Sequence, residues 1–168
     1  MFVIIAALAS AAGAAQLKIG VVDINTVISQ SDAGKAVNNT LQRYVENVRA
    51  ELNAKQKVID DLRQTLDSLS EEQRSEKLAE IETLESELQE AITTAQKDVD
   101  NRTEEYRRLV LEDIGKVLAI IAEEDGYHLI IDAATTYYYA KLIDITWEVI
   151  RKYNDLYEQA LQAAQSNQ

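Results

Sequence analysis

The chain of 168 residues carries 17 Lys and Arg against 29 Asp and Glu, a net charge of −12. That balance argues against a nucleic-acid-binding surface and for a solvated, self-repelling exterior. Cys is absent and His occurs once, as His128, which excludes disulfides, thiolate nucleophiles and Cys-based metal centres; Pro is also absent, which favours long unbroken helices.

The N-terminus is apolar from Phe2 to Ala9 and then small through Ala15. The run is too short to span a bilayer as a mature helix. Ala12-Gly13-Ala14 and Gly13-Ala14-Ala15 suit a signal-peptidase site, so residues 1–15 read as a secretory signal, although no Lys or Arg precedes the apolar stretch.

The segment LKIGVVD, from Leu17 to Asp23, alternates as a strand does. Leu17, Ile19 and Val21 fall on one face and Lys18, Gly20 and Val22 on the other. A short helical turn over residues 24–30 follows, with Asp32 as the expected N-cap of the next helix.

From Leu41 the period changes. Leu41, Val45, Val48, Leu52, Lys55, Ile59, Leu62, Leu66 and Leu69 fall at four-three spacing, and only Lys55 interrupts the apolar seam. Ser70 and Gln73 make a capping box for a new helix. Its seam runs Leu78, Ile81, Glu85, Leu88, Ile92, Ala95 and Val99, drifts between Arg102 and Val110, and resumes at Ile114, Val117 and Ile121. Gly126 ends it as the residue beyond the C-cap. Two heptad helices joined by a polar turn predict an antiparallel hairpin, with helices of about 54 Å and 84 Å. The excess of the longer one must dock on another body.

HLIIDA, from His128 to Ala133, predicts a second strand with Leu129 and Ile131 on one face and Ile130 on the other. TTYYYA, from Thr135 to Ala140, predicts a third. A closing helix is expected after an Asp144 N-cap, with Trp147, Ile150, Tyr153, Tyr157 and Leu161 on its apolar face. The fold class is therefore α+β: a small β body made by residues 16–33 and 126–165, with a coiled-coil arm over 34–125 inserted between its strands. So small a body is marginal alone and leaves strand edges open, which favours self-association through it. Ile19, Val21, Leu129, Ile131, Tyr138, Trp147 and Ile150 are the candidates for the core of the body or of a subunit interface.

No constellation for catalysis appears. His128 stands alone, no phosphate-binding glycine loop is present, and Asp23 and Asp132 at the strand ends read as caps of the following turns. No cofactor, metal or nucleic acid is expected, and the chain does not read as an enzyme.

The words KIGVVD, LIIDA and DITWEVI, in this order around a helical hairpin, resemble the Skp/OmpH family of periplasmic chaperones over residues 17 to about 155. The resemblance implies a homotrimer whose strands build a small central barrel and whose hairpins hang as arms around a cavity. It further implies holding of unfolded outer-membrane β-barrel proteins in the periplasm without ATP. One departure stands out. From Lys35 to Asp125 there are 13 Lys and Arg against 22 Asp and Glu, whereas the family's best-known type is strongly basic. A lipopolysaccharide or membrane contact is therefore left open, even at the cluster of Arg102, Arg107 and Arg108. The alternative is a periplasmic scaffold or adaptor that binds one folded partner, which would call for an apolar stripe at the hairpin tip; SLSEEQRSEK is mostly polar.

Overall fold

A computed structural model describes residues 17–166 of the chain; the expected signal at 1–15 lies outside these residues. The fold is α+β. Strand β1 (Ile19–Val22) pairs in parallel with β2 (Leu129–Asp132), with Ile19 opposite Leu129 and Val22 opposite Asp132. Parallel neighbours need a crossover. Here the crossover holds the short helix α1 (Ile24–Gln30), the 34-residue α2 (Asp32–Thr65) and the 55-residue α3 (Glu71–Asp125). A final helix, α4 (Thr146–Ser166), closes the chain. The hairpin of α2 and α3 is thus inserted between β1 and β2, as the heptads predict.

The helix boundaries follow local chemistry. Asp23 caps α1, its carboxylate accepting from the Thr26 backbone N–H at 3.0 Å. Ser31, not Asp32, caps α2 by accepting from the Gly34 N–H at 3.2 Å. Both residue types cap well, and Asp32 instead supplies negative charge to the first turn. A 3₁₀ turn at Leu66–Ser68 reverses the chain. Gln73 then accepts from the Ser70 backbone N–H at 3.3 Å, completing the expected capping box. Gly126 ends α3 at φ +71°, in the left-handed region that favours glycine.

The third strand does not form. Asp132 accepts from the Ala134 N–H at 3.1 Å, and the hydroxyls of Thr135 and Thr136 donate back to the Asp132 and Ala133 carbonyls. This winds Ala133–Thr135 into a 3₁₀ turn and carries Tyr137 and Tyr138 into solvent. The free edge of β1 is met farther on, where the Ile145 N–H donates to the Val21 carbonyl at 2.9 Å.

The helices pack on the strand face opposite the candidate set. Val22 and Ile130 pack on the main core, together with Val27, Ile114, Val117, Ile121, Ile145, Val149 and Ile150. Of the predicted set on the other face, Val21 is buried, Ile19 and Ile131 are half-buried and Leu129 is exposed. Parallel strands are apolar on both faces, so alternation alone does not say which face meets the helices. On α4, Ile150 and Tyr153 are buried as predicted, but Trp147 and Leu161 face solvent, and Val149 takes the core position at the helix start.

Candidate functional site

The hairpin is the largest feature outside the main core. It has a second, separate apolar cluster near its tip, where Ile59, Ile81 and Leu88 are buried and Leu52, Leu62, Leu66 and Leu84 pack against them. Each such side chain, fully buried, contributes about 1.5–3 kcal/mol. Between this cluster and the main core the seam opens. Leu41, Val48 and Val99 are half-buried, while Val45 is 40% and Ile92 42% exposed. A groove of about 420 Å³ runs along one side, lined by Val45, Val48, Leu52, Ile92, Ala95 and Val99, with Arg49, Asn53 and Gln96 at its rim. A second hollow of about 440 Å³ lies against Val48, Leu52 and Ala95 from the other side. Both contain Ala95, whose small side chain at a seam position leaves the facing helix short of contacts.

The two seam polars do not meet. Lys55 is exposed, and Glu85 pairs across the hairpin with Arg63. A second cross-hairpin tie joins Tyr44, Asp98 and Arg102. The Tyr44 hydroxyl donates to Asp98, Arg102 Nε lies 3.3 Å from the same carboxylate, and the guanidinium stands 4.3 Å from the Tyr44 ring centroid. The Tyr44 hydroxyl, aided by Arg102, holds the Asp98 carboxyl below its ordinary range. The carboxylate in turn pushes the Tyr44 phenol up. Arg102 does not stand in a basic cluster with Arg107 and Arg108. The structure instead gives Arg102 to this tie and sets Arg108 3.8 Å from Glu112.

The body also exposes several large apolar side chains. Tyr138 is 86%, Leu142 94% and Trp147 61% exposed, and Tyr137, Leu129 and Leu17 are exposed with them. Large apolar side chains that a single chain leaves exposed are candidates for burial in an interface. Tyr138, Leu129 and Trp147 are therefore not part of the core of a single chain. The remaining polar candidates are structural. The Nδ1 of His128 accepts from the Lys18 N–H at 3.1 Å, and the His128 N–H donates to the Lys18 carbonyl at 2.9 Å, extending the strand pairing by one residue. Asp23 and Asp132 each cap the turn that follows.

Among the described residues no helix is long and apolar enough to cross a membrane. The family model for outer membrane proteins of the OmpH-like type matches residues 18–153. A Chaperone protein Skp of Photorhabdus luminescens is 29% identical over 154 residues, covering 87% of this chain and 92% of that protein. An uncharacterized protein of Aquifex aeolicus is 30% identical over 133 residues, 78% of this chain and 82% of that one. The crystal structure of an OmpH-like protein from Caulobacter crescentus superposes with a TM-score of 0.77 at 18% identity, covering 85% of this chain and 87% of that one, and so shares the fold. Two parallel strands separated by a long helical hairpin, matched over residues 18–153, place this chain in the Skp/OmpH family of OmpH-like outer membrane chaperones.

Proposed function

We propose that the protein is an ATP-independent holdase of the periplasm, which binds unfolded outer-membrane β-barrel proteins and prevents their aggregation. The observation that carries this reading is the open seam. Val45 and Ile92 stay exposed along an apolar groove in the middle of the hairpin, where a stable coiled coil would close them. An unfolded barrel strand presents alternate apolar side chains, and many weak contacts of this kind sum by avidity across several arms. The turn at the tip is less suited to docking a folded partner, because its one apolar residue from Ser68 to Lys77, Leu69, is half-buried.

Residues 1–15 would be removed as a signal. The exposed Leu129, Tyr138, Leu142 and Trp147 would be covered in a homotrimer assembled through the body. The body and the arm would then divide assembly from holding. Replacing residues 49–100 by a short glycine-rich turn tests the division. The shortened protein keeps the oligomer by mass measurement and loses suppression of aggregation of an unfolded porin. A dissociated oligomer would assign assembly to the arms as well, and full suppression without them would remove the arms from the function.

A further inference from the structure

The family match ends at Tyr153, but α4 runs on to Ser166. We propose that this continuation is a brace, which clamps the root of the hairpin to the body through Asn154 and Tyr157.

Asn154 is the first residue beyond the match. Its Oδ1 accepts from the Asp32 backbone N–H at 2.9 Å. Asp32 is the first residue of α2, and its amide is one of those that a helix start leaves without an intrahelical partner. Ser31 serves the Gly34 amide locally. The start of α2 is therefore capped twice, once by its own neighbour and once from the far end of the chain, 122 residues away.

One turn on, Leu156 and Tyr157 pack against the main core. Tyr157 and Tyr153 wall a cleft of about 390 Å³, whose other side is Val37 and Thr40 of α2 and Tyr106 and Leu109 of α3. This is where the hairpin leaves the body. The extension thus bonds α2 at its first residue and, with both arm helices, lines the cleft at the hairpin root.

The rest of α4 makes no comparable contact, since residues 158–166 are exposed. Their physical role is to extend the helix past the brace. Without them Asn154 and Tyr157 would stand in a last, frayed turn with unsatisfied carbonyls. The attachment of the arm can be read out whether or not the arm holds unfolded clients.

Amide hydrogen exchange of the full-length protein tests it, alongside Asn154→Ala, Asn154→Asp and a chain ending at Tyr157. The expected result is faster exchange in the arm root, residues 32–40 and 106–113. The increase should be about fivefold in Asn154→Ala, the worth of one cap hydrogen bond, and larger in the truncated chain. Asn154→Asp, which keeps an acceptor, stays near the parent. Strand residues 19–22 and tip residues 59–88 are unchanged throughout. Arm-root exchange within twofold of the parent in both Asn154→Ala and the truncated chain would overturn the brace. So would an equal rise at 19–22 and 114–121, which would make the extension part of the body's core.

Discussion

A Cβ on Gly34 would lie 1.8 Å from the carbonyl oxygen of Ile28. Helices α1 and α2 fold back on each other across Ser31, itself fully buried, and the backbone of one touches the backbone of the other. A backbone oxygen cannot rotate away as a side chain can. Gly34→Ala should therefore cost about 3 kcal/mol or more, from overpacking that the fold cannot relax. Gly115 is the control. It is also helical, nothing lies within 4 Å of its would-be Cβ, and Gly115→Ala should stabilise by about 1 kcal/mol. Urea denaturation of the two variants checks the contrast; equal effects would remove the close approach as a determinant.

Asp23 links the end of β1 to α1. Its carboxylate accepts from the Thr26 hydroxyl at 2.7 Å and the Thr26 N–H at 3.0 Å, and these bonds hold its carboxyl below the ordinary value. A depressed carboxyl stabilises the fold above its unfolded-state pKa, and the contribution disappears as pH falls through the folded-state value. Asp23→Ala should cost about 1–2 kcal/mol at neutral pH. Asp23→Asn should cost less and flatten the acid limb of the stability curve. Denaturation midpoints from pH 2 to 7 distinguish the two.

Tyr153 predicts the alkaline limb. It is buried against α3, and burial, with the Asp113 charge behind it, pushes its phenol up to about 12. The unfolded chain gives up this proton near pH 10 and the folded chain holds it longer. Stability should therefore fall as pH rises from about 10 to 12, by a few kcal/mol at most. Tyr153→Phe, which cannot ionise, should lose less stability over that range. An unchanged alkaline limb in the variant would place the titrating group elsewhere.

The charge of the arm bears on the proposed holding of unfolded clients. With 13 Lys and Arg against 22 Asp and Glu between Lys35 and Asp125, attraction to an acidic porin would have to be mainly apolar. Its affinity should then change by less than about tenfold between low and physiological salt, although the Debye length shrinks from about 30 Å to about 8 Å. Binding measured at several salt concentrations decides the point. A loss of several hundredfold would mean that cations such as Arg107 and Arg108 carry the contact.

The hairpin was readable because heptads repeat: Ile59, Leu62 and Leu88 occupy the seam as their spacing predicts. Its openness was not. Val45 and Ile92 keep the period of a closed seam, and their exposure depends on the size of what faces them. The Tyr44–Asp98–Arg102 tie left one trace, the i,i+4 spacing of Asp98 and Arg102. Tyr44 joins from 54 residues away, which no local pattern reports. The Tyr run at 137–139 has the β-propensity of a strand, but Thr135 and Thr136 turn the chain by bonding to the carbonyls just behind them. Local side-chain bonds of this kind compete with a ladder.

Helix α3 passes without a break from the main core at Val110 to the tip at Glu71. That stretch is a lever about 58 Å long. A tilt of about 10° at the root would carry the far end through roughly 10 Å. Small volume changes under Val110, Ile114 and Tyr153 are therefore magnified with distance, and a substitution that hardly alters the core can alter where the hairpin tip stands.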